Sequence, residues 1–190
     1  MSSGLTGRCG AWLAVLAFVF GCGAAGHAQP ASSREYQIKA VFLFNFAQFV
    51  EWPADAFPEA NSPLVIGVLG EDPFGQALDE TVHGEQVGSR PLLIQRWRRI
   101  EDVGPCHILY ISTSEQSRRD KIIAQLNARS TLTVSDSEDF ARHGGMIRFF
   151  TDHNRIRLQI NLEAVRAARL TISSKLLRPA EIVAGNGGVP

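Results

Sequence analysis

Apolar side chains crowd more than one side of a helical repeat between residues 34 and 52: Ile38, Val41, Phe42, Leu43, Phe44, Phe46, Phe49 and Val50. Pro53 ends the run, because proline removes a donor and clashes with the preceding turn. The spacing predicts a helix over Arg34–Trp52. A surface helix carries one apolar stripe. Here Ile38, Phe42, Phe46 and Phe49 form one face, while Leu43, Phe44 and Val50 widen it. Such a helix is either central in a core or shared with a second chain. Phe42, Phe44, Phe46 and Phe49 are therefore the candidate dimer or partner surface.

The pattern then shifts to short apolar runs broken by turn residues. Leu64–Leu69 is apolar throughout and β-branched at Val65, Ile66 and Val68, as in a strand covered on both faces. Asp72-Pro73 predicts a helix start, running to about His83. A turn over Gly84–Ser89, a strand over Leu92–Gln95 and a loop over Trp97–Gly104 follow. His107–Ile111 and Thr131–Val134 read as strands around a helix from Glu115 to about Ala128, with Ile122, Ile123 and Leu126 facing inward. Ser135 or Asp136 is expected to cap a short helix reaching Arg142. Met146–Phe150 and Arg155–Ile160 form a hairpin joined by Thr151–Asn154. Asn161 caps a helix from Leu162 to about Ala168, and Thr171–Pro179 is mixed. This alternation predicts an α/β fold: a single three-layer domain, mostly parallel sheet, with an antiparallel hairpin at one edge.

The first 28 residues have a different character. Arg8, the apolar run Ala11–Phe20 and the small residues Gly21–Ala28 have the three-part layout of a secretory signal peptide. The apolar run is about half of the roughly 20 residues a membrane-spanning helix needs. Cleavage is expected after Ala28, with lipoprotein processing at Cys22 as the rival reading. The expected organisation is thus a signal peptide over 1–28, an α/β domain over 34–180 and a disordered tail over 181–190, in a periplasmic protein.

Of the 190 residues, 19 are Lys or Arg and 19 are Asp or Glu. Only Arg8 is lost with the signal, so the mature chain is nearly neutral and has no electrostatic footprint for nucleic acid. Cys106 is the sole cysteine outside the signal region. An intramolecular disulfide is therefore excluded, and stability must come from packing.

Catalytic patterns are missing. Gly70–Gln76 follows a strand and precedes a helix, yet it has neither the Lys-Ser/Thr of a P-loop nor the Gly-x-Gly-x-x-Gly spacing. Ser135-Asp136-Ser137-Glu138-Asp139 fits a capping box better than a cation site. Asp152-His153 lacks further ligands nearby in sequence. No His-Glu-x-x-His or Gly-x-Ser-x-Gly motif occurs. No catalytic, metal or cofactor residue is assigned, and an enzyme is not expected. The stretch Arg169–Arg178 is different: Leu170, Ile172, Leu176 and Leu177 alternate with cations and hydroxyls. It reads as an edge element closing the core, or as a surface for an anion or acidic partner carried by Arg169, Ser173, Lys175 and Arg178.

Several segments together resemble the YfiR family of periplasmic proteins: Ile38–Pro53, ending in Glu-Trp-Pro; Ile66–Gly70; Cys106–Ile111; Thr131–Asp136; Gly144–Ile147; and Gln159–Asn161 followed by Leu170–Leu177. The resemblance covers about residues 35–180. It implies an α/β periplasmic protein that dimerises and inhibits an inner-membrane diguanylate cyclase through that enzyme's periplasmic region. It further implies sequestration by an outer-membrane, peptidoglycan-associated lipoprotein. The output would be lower cyclic-di-GMP, less biofilm and more motility. Relatives often pair a cysteine in the first strand with the one before the Ile-Leu-Tyr strand; here Gly67 stands at the first position. A competing reading is a small-molecule-binding or sensory module. Its ligand would lie beyond the carboxyl ends of the strands, at Gly70-Glu71, Ser112-Thr113 and Ser135-Asp136.

Overall fold

The computed structural model describes residues 31–127 and 129–185. The expected signal segment, with Cys9 and Cys22, lies outside the described residues, as do residues 186–190. No helix among the described residues is long and apolar enough to cross a membrane.

The sheet is built outward from β2 (Leu64–Leu69), whose six residues are all buried. It pairs in parallel with β4 (Arg90–Trp97) on one side and β5 (Ile108–Ile111) on the other. β6 (Leu132–Ser135) and β7 (Ile147–Asp152) extend the parallel run. β8 (Arg155–Ile160) returns antiparallel to β7 through His153 and Asn154, both at positive φ, as a two-residue hairpin turn requires. The strand order is β10-β8-β7-β6-β5-β2-β4-β3, with β3 (Gln86–Val87) and β10 (Glu181–Ile182) outermost. The mostly parallel sheet with its antiparallel hairpin is as the alternation predicts, and β10 adds one strand beyond the hairpin.

Period-two alternation sorts the strand residues into two cores. Leu64, Ile66 and Val68 of β2, with Ile108 and Tyr110 of β5, face α1 (Ala31–Phe49) and α2 (Gln76–Val82). Val65, Leu69, Leu109 and Ile111 face α3 (Arg119–Leu126), where Ile122, Ile123 and Leu126 are buried. Gly67 stands where a Cβ would collide with Trp97 and Leu109, so this face has no room for a side chain there. The register sets Gly67 beside Leu109, three residues along β5 from Cys106. At about 3.3 Å per residue that offset sets Gly67 well along the sheet from Cys106.

Four expected elements differ. The first helix stops at Phe49, because Val50–Glu51 leaves it as β1 and pairs antiparallel with β9 (Thr171–Ile172). The helix expected from Glu115 starts as a 3-10 turn over Thr113–Arg118, capped by Ser112, and becomes α-helical at Arg119. Residues 136–142 form turns rather than a helix: Ser135 closes β6, and its hydroxyl donates to Ile111 O and accepts from Ser137 N–H. The tail expected to be disordered from 181 begins with β10, and Val183 is buried and donates to Ile160 O. The remaining helices, α4 (Leu162–Ala167) and α5 (Ser174–Leu177), follow their caps: Asn161 Oδ1 accepts from Ala164 N–H, and Ser173 Oγ from Lys175 N–H.

Candidate functional site

At the carboxyl end of the sheet, β6 delivers Asp136 against α1. Lys39 is 3% exposed, and its ammonium lies 2.7 Å from Asp136 Oδ2 and 2.6 Å from Glu35 Oε1. The Tyr36 hydroxyl donates to the same Asp136 oxygen at 2.7 Å. Lys39 also stands over the Tyr36 ring, 4.4 Å from its centroid. Burial pushes the Asp136 carboxyl up, but hydrogen bonds from Lys39 and Tyr36 and the Lys39 charge outweigh it, leaving the group below the usual carboxylate range. The Tyr110 hydroxyl, fully buried, reaches the same cluster; burial and the Asp136 charge raise its pKa.

Asp136 is therefore an ion-pair anchor for α1, not a helix cap, and the capping-box reading of Ser135 and Glu138 does not hold. At the neighbouring strand ends, Glu71 N–H donates to Ser114 Oγ, and buried Glu115 pairs with Arg118. A Cβ on Gly70 would collide with Ser114 and Glu115. Of the places expected to receive a ligand, Gly70 is crowded by Ser114 and Glu115, and Asp136 is taken by Lys39 and Tyr36, while Glu71 and Thr113 are exposed.

The amino end of the sheet is open. A cavity of about 370 Å³ lies where the chain enters β5 and β6, lined by Asp55, Cys106, Arg129, Ser130, Thr131 and Arg169 among others. His107 shapes one wall. Its Nδ1 accepts from Val65 N–H at 3.0 Å, which places the proton on Nε2, 3.3 Å from Ala56 O. Burial lowers its pKa, so it is a neutral structural ring. Phe57 stacks on it at 4.3 Å, and the Arg90 guanidinium covers Phe57. Burial pushes the Cys106 thiol up to about 12, which makes it an inert apolar lining group.

Arg169 adopts φ +59, the left-handed conformation that glycine favours. It terminates α4 in a Schellman arrangement: Leu170 N–H donates to Val165 O and Arg169 N–H to Arg166 O. Its guanidinium meets Asp55 Oδ2 at 2.9 Å and Ser130 Oγ at 3.4 Å.

The four residues of the suggested anion patch have different surroundings. Arg169 turns to the cavity, Ser173 is the α5 cap, Lys175 lies 5.1 Å above the Phe49 ring, and Arg178 is exposed. Lys175 and Phe49, from the two suggested surfaces, meet each other. Phe46 is fully buried and stacks on Phe149 at 5.8 Å, whereas Phe42, Phe44 and Phe49 are partly exposed. On the outer face of α1, Ile38 and Val41 are 45% and 48% exposed. Sequence reasoning passed over Lys39, whose signal was a lone cation inside an apolar helix. It also passed over Arg129 and Asp55, which carried no local signal.

Among the described residues, no three His, Cys, Asp or Glu side chains gather as a metal site. An α/β body with small surface cavities and two half-exposed apolar residues on the outer face of α1 has the features of a binding module. The chain belongs to the YfiR/HmsC-like family, DUF4154, whose model matches residues 36–181. That family is one of periplasmic regulators in cyclic-di-GMP signalling, not enzymes. No curated protein matches the chain.

Proposed function

We propose that this protein is a periplasmic regulator that binds the periplasmic region of an inner-membrane diguanylate cyclase and inhibits it, lowering cyclic-di-GMP. Family membership across nearly the whole folded part supports the reading. The observation that carries it is the outer face of α1: Ile38 and Val41 stand one turn apart in solvent. Two half-exposed apolar side chains on one helix face, with Phe42 and Phe49 partly exposed on the same helix, suit a contact surface. In this reading residues 1–28 direct export and are removed, residues 34–180 are the functional domain, and Phe42, Phe44 and Phe49 flank the contact, with Lys175 at its end. The same face would serve a homodimer or an outer-membrane lipoprotein, so those partners would compete with the cyclase for it.

Deleting the gene should raise cellular cyclic-di-GMP, and complementation with Val41→Glu should fail to lower it while the variant accumulates normally. Unchanged nucleotide levels on deletion would reject the proposal. Full complementation by Val41→Glu would move the contact away from α1.

A further inference from the structure

We propose that the cavity at the amino ends of β5 and β6 binds a small molecule bearing a carboxylate on a compact apolar body. At about 370 Å³ it falls within the range of small-ligand pockets, which are mostly apolar with a few polar groups that fix orientation. The floor fits that description: Val103, Pro105 and the protonated thiol of Cys106 present apolar surface. The rim carries two guanidiniums, Arg129 and Arg169, against one carboxylate, Asp55. Its formal charge is therefore one positive, which suits a monoanion.

Arg129 is positioned by one bond and Arg169 by two, to Asp55 and Ser130, so each keeps donors to spare. Arg129 Nη1 donates to Val103 O at 3.2 Å, and Arg169 Nη1 to Asp55 Oδ2. A guanidinium has five N–H donors in a fork that matches a carboxylate. Arg169 adds a second indication. It occupies the left-handed position that ends α4, where glycine costs nothing and arginine is strained. Its exposed pair with Asp55 does not account for that choice, because such pairs contribute little. A role at the cavity rim does.

This goes beyond regulation of a cyclase by giving the protein a small-molecule input, and it does not rest on that reading. The test uses purified protein with no cyclase present, so the two ideas fail separately. Benzoate, butyrate and inorganic phosphate are titrated by calorimetry and thermal shift. We expect saturable binding of either carboxylate and none of phosphate. Arg129→Gln should weaken it about tenfold or more, the scale of one charge-assisted hydrogen bond. Arg169→Gly should do the same while leaving the melting temperature of the free protein equal or higher, because glycine suits the left-handed position. That opposition separates a binding role from a structural one. Failure of both carboxylates to bind, or binding that survives both substitutions, overturns the proposal. Binding of phosphate as tight as that of the carboxylates would overturn the apolar-body requirement.

Discussion

The two ends of the parallel sheet handle charge in opposite ways. At the carboxyl end Lys39 and Asp136 are 4% and 10% exposed as side chains, and α1 seals them in with Tyr36 and Tyr110. At the amino end Arg169 and Asp55 are 62% and 63% exposed beside a cavity. Open α/β sheets ordinarily receive ligands at their carboxyl ends. Here that end instead fixes α1, and the cavity beside Arg169 lies at the other end. A cation that must stay paired is structural, whereas a cation left in water is available to a ligand.

Breaking the sealed end should cost the most. Lys39→Met keeps the aliphatic stem but leaves Asp136 charged and buried. Removing one partner of a buried pair costs about 3–5 kcal/mol, read as a lower urea midpoint at unchanged slope. Lys39→Met with Asp136→Leu removes both charges and should recover most of the loss, because an apolar replacement of a buried pair is often neutral. A double variant as unstable as the single one would show that the pair is not what holds α1.

His107 tests the wall of the open end. His107→Leu keeps the bulk but leaves Val65 N–H without its acceptor, at a cost of about 1–3 kcal/mol. The pH profile separates the two ends further. Burial holds His107 below its ordinary 6.5, so the unfolded chain takes up that proton first. Its stability is complete above 6.5 and is lost as pH falls through the lowered folded value. Asp136 lies below its ordinary 3.8, so its contribution is complete above 3.8 and is lost only in stronger acid. Denaturation midpoints from pH 8 to pH 3 should therefore decline in two stages. His107→Leu should flatten the first stage, and Lys39→Met should remove or reverse the second, because burial then favours the protonated Asp136. A wild-type profile flat between pH 6.5 and 4 would contradict the buried neutral ring.

Much of the frame was legible because local pattern and tertiary demand agree. Leu64–Leu69 is apolar at every position and β2 is buried at every position. Asn161 was read as a cap and caps α4. The misses lie where a distant residue captures a local signal. Asp136 has the neighbours of a helix cap, yet Lys39 and Tyr36, nearly a hundred residues away in sequence, take its carboxylate. Val50–Glu51 continues a helical pattern, yet β9 offers it a strand partner. The cavity is less legible still. Its rim draws Asp55, Arg129 and Arg169 from three segments, and of these only Arg169 sat in a suspicious stretch.

The smallest effect should come from the exposed pair. Asp55→Asn removes the carboxylate facing Arg169 at 2.9 Å, only slightly longer than the 2.7 Å between Lys39 and Asp136. Both groups remain in water, where screening and side-chain entropy cancel most of the attraction. The cost should therefore be below about 1 kcal/mol and shrink further in high salt. The same change at Asp136 should be several times larger and nearly indifferent to salt, because no solvent screens Lys39. Urea midpoints of both asparagine variants at low and high ionic strength make the comparison. Equal losses at the two positions would mean that geometry, not burial, decides the strength of these pairs, and the contrast between the two ends of the sheet would disappear.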